Sequence, residues 1–178
     1  MKGNIYLTGL PGSGKSTVGK TLSHLLGKEF VDIDLMIEEI EQKTIPDIFD
    51  CEGEEYFRAV ETDCLKKISI RTNLIVSTGG GLPVDPVNVE AMENSGCIIW
   101  LKASPETILE RLNIQIENTG IDNDRPMLIS EEPLERIKKL LDSRKDAYKR
   151  SHAIVETDRK NVEAVAEEIH RRLVSWEK

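Results

Sequence analysis

At 178 residues, 39% hydrophobic and 31% charged, the chain has the length and balance of one folded globular domain, expected to span 1–178, and not of a disordered segment. A formal net charge of −8, with no Lys/Arg stripe interleaved with aromatics, speaks against nucleic acid as a partner, and no stretch approaches the roughly 18 apolar residues of a membrane span. Three widely spaced cysteines, Cys51, Cys64 and Cys97, contain no C-x-x-C, which speaks against a disulfide framework or a zinc site; they are expected to be buried free thiols. His24, His152 and His170 are scattered and offer no ligand cluster. Only a handful of apolar residues separates Lys2 from the first glycine loop, so no signal peptide is read and the expected compartment is the cytoplasm.

The first predicted strand, Ile5-Tyr6-Leu7, runs into Gly9-Leu10-Pro11-Gly12-Ser13-Gly14-Lys15-Ser16-Thr17, which fits G-x-x-x-x-G-K-[ST], and Thr17 to Leu26 reads as the helix that follows. A strand-to-helix turn of this composition aims backbone N–H groups at an anion. Gly9, Gly12 and Gly14 permit positive φ and close approach to phosphate oxygens, and the start of the helix contributes its positive dipole end. Lys15 would reach the β and γ phosphates and the Ser16 hydroxyl would hold Mg²⁺, with Gly12, Ser13, Gly14 and Thr17 completing the triphosphate cradle.

Further short apolar runs at Phe30–Ile33, Leu74–Val76, Ile98–Leu101 and Ala153–Val155 alternate with helical stretches, which implies a mostly parallel sheet covered on both faces. Phe57, Val60, Cys64 and Ile68, like Val162, Val165, Ile169 and Leu173, recur at helical spacing and read as core stripes. Ser104-Pro105-Glu106 is an N-cap followed by an N1 proline and opens a helix to about Ile116. Residues 117–124 are polar and turn-prone, and Arg125-Pro126 precedes a helix from about Glu131 to Ser151. The excursion over about 112–126 is expected to be a mobile lid that keeps water from the transferring phosphate.

Three groups point to an acceptor. Val31-Asp32-Ile33-Asp34 ends the second strand, where the ligand crevice of a parallel sheet lies; alternation along an extended segment would put Asp32 and Asp34 on one side, one serving the metal and the other an acceptor hydroxyl. Ser77-Thr78-Gly79-Gly80-Gly81 forms a second glycine cluster at the third strand's end, where the backbone can approach a ligand closely. Glu61 lies one helical turn beyond Arg58 and could hold its guanidinium while that group grips a carboxylate. Asp50-Cys51-Glu52-Gly53 spells a D-x-x-G of the kind nucleotide-switched GTPases use, but the guanine-reading N-K-x-D is absent.

In order and spacing these blocks, together with Arg125-Pro126-Met127-Leu128 and Leu140-Leu141-Asp142-Ser143-Arg144 with Tyr148, resemble the shikimate kinases, a family of nucleoside-monophosphate-kinase-like P-loop proteins. The resemblance covers most of the chain and implies a three-layer α/β/α fold around a five-stranded parallel sheet. It implies that ATP phosphorylates the 3-hydroxyl of shikimate, with Asp34 holding the acceptor hydroxyls, Arg58 and Arg144 clamping the carboxylate, and Gly79, Gly80 and Gly81 lining the ring. By the same likeness Lys15 and Arg125 stabilise the transferring charge, Ser16 and Asp32 serve Mg²⁺, and Arg111 with the segment around Arg159 flanks the adenine, Lys160 being the alternative to Arg159. A monomer is expected, with no nucleic acid or membrane as partner. Leu10-Pro11 is more like the related gluconate kinases, which keeps a sugar-acid acceptor open.

Overall fold

The computed structural model describes residues 3–119 and 132–176. The strands are β1 (Asn4–Thr8), β2 (Glu29–Asp32), β3 (Leu74–Ser77), β4 (Gly96–Lys102) and β5 (Ala153–Glu156), and the helices are α1 (Lys15–Leu26), α2 (Ile33–Glu41), α3 (Ile45–Ser69), α4 (Pro86–Ser95), α5 (Pro105–Thr119), α6 (Pro133–Tyr148) and α7 (Val162–Trp176), with a 3₁₀ turn at Leu82–Val84. All neighbouring strands pair in parallel in the order β2-β3-β1-β4-β5. Alternation along each strand feeds two cores: Tyr6, Leu74, Val76 and Ile98 pack beneath α2, α3 and α4, whereas Ile5, Leu7, Ile75, Ile99 and Leu101 pack beneath α1 and α7. A third cluster, Leu10, Trp100, Ile108, Leu112, Ile137 and Tyr148, joins α5 and α6 to the end of β4. The expected sandwich around a five-stranded parallel sheet is thus present.

Register positions the site. Ser77 pairs with both Leu7 and Asp32, so β1, β2 and β3 end level with one another, and the loops that leave them open on the same edge of the sheet. Thr78 locks two of these exits together, its N–H and its hydroxyl both donating to the Leu7 carbonyl at 3.1 and 3.0 Å. At the opposite edge the Asn4 amide donates to the carbonyls of Ile68 (3.3 Å) and Arg71 (2.9 Å) and accepts from Leu74 N–H (3.1 Å), tying the end of α3 and the start of β3 to β1.

Five expectations need correction. The second strand stops at Asp32, not Ile33: Asp32 Oδ1 accepts the Asp34 N–H at 3.1 Å and starts α2 immediately. The two aspartates therefore do not share one side of an extended segment; Asp32 is the cap and Asp34 sits in the first turn. Helix α1 begins at Lys15 and not Thr17, and α5 continues past Ile116 to Thr119, so the first part of the anticipated lid, 112–119, is helical; the remainder of that expectation, Arg125 included, falls outside the described residues. Helix α6 is shorter than expected, Pro133–Tyr148. Cys51 is exposed, although Cys64 and Cys97 are buried.

Helix α3 is two helices joined at Gly53, whose φ of 86° and ψ of 171° are open to glycine almost alone. Asp50-Cys51-Glu52-Gly53 is therefore a helix break and not a switch loop. The break re-aims the second half of α3 so that Arg58 and Glu61 reach the sheet edge.

Candidate active site

The phosphate loop adopts the backbone its glycines allow, with φ of 138° at Gly9, 81° at Gly12 and 96° at Gly14. Gly14 is the N-cap of α1 and brings no side-chain cap, and the first turn of the helix holds no acidic residue, so its N–H groups and positive end remain directed at an anion. Lys15 is only 8% exposed and folds back over the loop, its Nζ donating to the carbonyls of Gly9 (2.9 Å) and Leu10 (3.1 Å). Ser16 Oγ donates to Asp32 Oδ2 at 2.6 Å and lies 3.3 Å from Ser77 Oγ. A hydroxyl and a carboxylate oxygen from two elements meeting beside the phosphate cradle are the hard donors that Mg²⁺ shares with water and substrate phosphates, so the Ser16 and Asp32 pair fits that ion.

Across the crevice, the glycine run is where the acceptor groups converge. A Cβ built on Gly79 would overlap Glu61 Oε1 and lie 2.9 Å from Asp34 Oδ1; one on Gly80 would lie 3.0 Å from Pro11 Cδ and 3.2 Å from Arg144 Nη1; one on Gly81 would lie 2.5 Å from Arg58 Nη1. Any side chain there would displace a charged group, which is why three successive positions carry none. Asp34 from α2, Arg58 from α3 and Arg144 from α6 thus meet over one backbone segment, beside the phosphate loop's own Pro11. Pro11, which suggested a different acceptor, is a packing contact for Gly80.

The electrostatics are those of a small pocket with charges held out of water. Burial pushes the Asp34 carboxyl up, opposed by Lys15 and Arg58 and reinforced by Asp32 and Glu38. Arg58 is paired with Glu61 and, through Nη2 at 3.1 Å, with Glu54; burial pulls its guanidinium down, but the two carboxylates outweigh it and the net shift is upward. The Glu61 side chain is 1% exposed and Arg58 34%, so the pair is no surface bridge. Burial raises Glu61 to about 7 despite Arg58 and Arg144, and its Oε1 has no hydrogen-bond partner among the described residues. A carboxyl raised by folding binds its proton more tightly in the native state, so its contribution to stability is full at low pH and is lost as pH rises through the folded value. The thermal midpoint is expected to fall more steeply in the wild type than in Glu61→Gln between pH of about 4.5 and about 7. Parallel pH profiles from calorimetry would show that Glu61 does not titrate in this way.

On the far side of the phosphate loop, Arg111 of α5 donates through Nη1 to the Gly12 and Ser13 carbonyls, both at 3.4 Å, and to Thr157 Oγ1 at 3.0 Å, and through Nη2 to the Thr157 carbonyl at 2.8 Å. It ties the loop to the turn after β5. Asp158 in that turn accepts the Ser104 N–H at 3.0 Å, fastening the start of α5. Arg159 is exposed in a left-handed conformation, φ 57°, whereas Lys160 is engaged by Glu168 at 2.7 Å. Of the expected nucleotide contacts, Arg111 is therefore at the phosphate loop, whereas Arg159 is on the surface of the turn after β5. The burial of Glu61, the Ser77 hydroxyl beside Ser16 and the packing of Pro11 were not foreseen from the sequence.

The family model "Shikimate kinase" matches residues 11–174. The chain belongs to the shikimate kinase family. A shikimate kinase of a Sulfurihydrogenibium strain is 43% identical over 166 residues, covering 93% of this chain and 95% of that one. A solved shikimate kinase from Acinetobacter baumannii, in complex with shikimate, superposes with a TM-score of 0.88 at 37% identity, covering 97% of this chain and 93% of that chain. A gluconokinase from Sinorhizobium meliloti gives a TM-score of 0.58 at 16% identity, covering 99% and 98% of the two chains, a likeness of fold alone. Membership makes the protein an ATP-dependent kinase that transfers phosphate to a hydroxyl of shikimate. Among the described residues no helix of this kinase is long and apolar enough to cross a membrane.

Proposed function

We propose that the phosphate-loop crevice and the glycine-lined pocket are the donor and acceptor halves of one site, in which the γ-phosphate of ATP passes to the 3-hydroxyl of shikimate, giving 3-phosphoshikimate and ADP on the route to chorismate and the aromatic amino acids. The observation that carries this assignment is the meeting of Asp34, Arg58 and Arg144 over Gly79–Gly81, on the sheet edge from which the phosphate loop also leaves.

Two guanidiniums against one backbone floor suit a single carboxylate, which each can grip with paired hydrogen bonds. With the carboxylate anchored there, the ring lies along the glycines and a hydroxyl meets Asp34. The hydroxyl oxygen attacks the γ-phosphorus, its bond to the β–γ bridging oxygen breaks, ADP leaves, and the hydroxyl proton passes to the Asp34 carboxylate. Such a transfer needs mainly positioning and charge stabilisation. Lys15 meets the charge that grows on the γ-phosphate and bridging oxygens, and Arg125 assists by family resemblance. Gly12, Ser13, Gly14 and Thr17 bind the phosphates, with Arg111 and Arg159 toward the adenine. Magnesium held by Ser16 and Asp32 would neutralise phosphate charge. The chain works as one domain and as a monomer in the cytoplasm.

A coupled ADP-release assay with ATP, Mg²⁺ and shikimate checks this directly: turnover well above a blank without acceptor is expected, and a rate equal to the blank would dismiss it. Arg58→Ala should raise the KM for shikimate by about tenfold to a hundredfold, as expected for a charge-assisted pair, while the KM for ATP stays near normal. An unmoved acceptor KM would make Arg58 merely structural.

A further inference from the structure

Tyr148 closes α6 and is 1% exposed, and neither the phosphate loop nor the acceptor groups account for its position. Its ring packs on Trp100 at the end of β4, centroids 5.5 Å apart. Its hydroxyl donates to the Gly80 carbonyl at 2.6 Å, a contact between residues 68 apart in the chain. Burial pushes the phenol up to about 12 despite the positive charge that Arg144, four residues earlier on α6, brings near it, so the hydroxyl remains a neutral donor. Arg144 Nη1 in turn lies 3.2 Å from where a Gly80 Cβ would be. The phenolic oxygen thus holds the peptide against which the guanidinium lies. Because the C=O and N–H of a trans peptide point in opposite directions, fixing the Gly80 carbonyl also fixes the aim of the Gly81 N–H away from Tyr148.

We propose that Tyr148 is a positioning residue for the acceptor clamp, its hydroxyl fixing the Gly80 peptide against which the Arg144 guanidinium lies and its ring anchoring that peptide to the sheet through Trp100. The effect on substrate passes through Arg144, so the inference rests on the assignment of Arg144 to the acceptor carboxylate. An arginine on a helix end is flexible by itself, and a fixed floor for it to lie against lowers the ordering cost of binding. Met, Leu or Phe at 148 would fill the same space against Trp100 but leave the Gly80 carbonyl without this partner.

The test is Tyr148→Phe, which keeps the ring on Trp100, measured beside Arg144→Ala and the double variant. Tyr148→Phe is expected to raise the KM and the calorimetric Kd for shikimate by about five- to tenfold, the scale of one lost hydrogen bond, with kcat within about twofold and the KM for ATP unmoved. In the Arg144→Ala background the same change should alter the shikimate KM by less than about twofold, because the group it positions is gone. Independent effects that multiply in the double variant, a shikimate KM unchanged by Tyr148→Phe, or a loss shared by both substrates with a lowered melting temperature would overturn the proposal. An Arg144→Ala variant with a normal shikimate KM would instead overturn the assignment of Arg144 itself.

Discussion

Asp34→Asn is expected to lower kcat by about 10²- to 10⁴-fold, the range a positioned acid–base group supplies, while changing shikimate affinity only severalfold. The amide has the carboxylate's shape and still hydrogen-bonds a hydroxyl, so binding survives; it cannot take the proton, so chemistry does not. The expectation depends on where Asp34 sits. Asp32 caps α2 and holds Asp34 in the first helical turn, with Oδ1 directed at Gly79, and neither contact requires the Asp34 charge. Burial has already raised the Asp34 carboxyl, which makes it a better base than an exposed aspartate and also means that activity falls as pH drops through its raised value. Rapid-quench measurement of phosphoshikimate formation, paired with calorimetric shikimate binding, separates the two effects. Equal losses in rate and affinity would mean that Asp34 acts only as a ligand.

Lys15→Ala is expected to reduce kcat by about 10²- to 10³-fold, comparable with removing one preorganised electrostatic partner from a transition state. Lys15 is nearly buried and folds over the phosphate loop, its Nζ held by the Gly9 and Leu10 carbonyls. Backbone N–H groups and the start of α1 still bind the nucleotide in the variant, and the KM for ATP should rise much less than kcat falls. Lys15→Arg should not rescue it, because a planar guanidinium is larger than the space a single ammonium fills under the loop. A variant that loses only ATP affinity, with kcat intact at saturation, would place the lysine's role in ground-state binding.

Much of the fold could be read because its signals are local. Short apolar runs separated by helical stripes specify a covered parallel sheet, and the glycine loop with its Lys and Ser is confined to nine residues. Asp32 and Asp34 show how local chemistry displaces a pattern: alternation assumed that the strand continued, but an aspartate side chain accepting the N–H two residues on begins a helix instead. Glu61 shows the reverse, a signal present but unused. Phe57, Glu61, Cys64 and Ile68 fall at i, i+4, i+7 and i+11, so a carboxylate lies on the stripe that faces the core, and a charge there calls for a buried partner. Ile137, Leu141, Arg144 and Tyr148 repeat the spacing on α6, and Arg144 is the charge on that inward stripe. What no local pattern could supply is the convergence. Arg58 and Arg144 are brought to the same three glycines by the Gly53 break and by the docking of α6 on β4, and both depend on contacts distant in sequence.

The acceptor pocket is the centre of this account, and its selectivity is the measurement that tests it most directly. With ATP and Mg²⁺ held saturating, kcat/KM is determined for shikimate and for gluconate on the same preparation, and the phosphorylated carbon is located by ³¹P NMR. A pocket built from two arginines, one aspartate and a glycine floor should favour shikimate by at least about 10³-fold, since a misfit acceptor leaves buried polar groups unpaired, and should place the phosphate on the 3-hydroxyl. Comparable kcat/KM values for the two acids, or a higher value for gluconate, would contradict it.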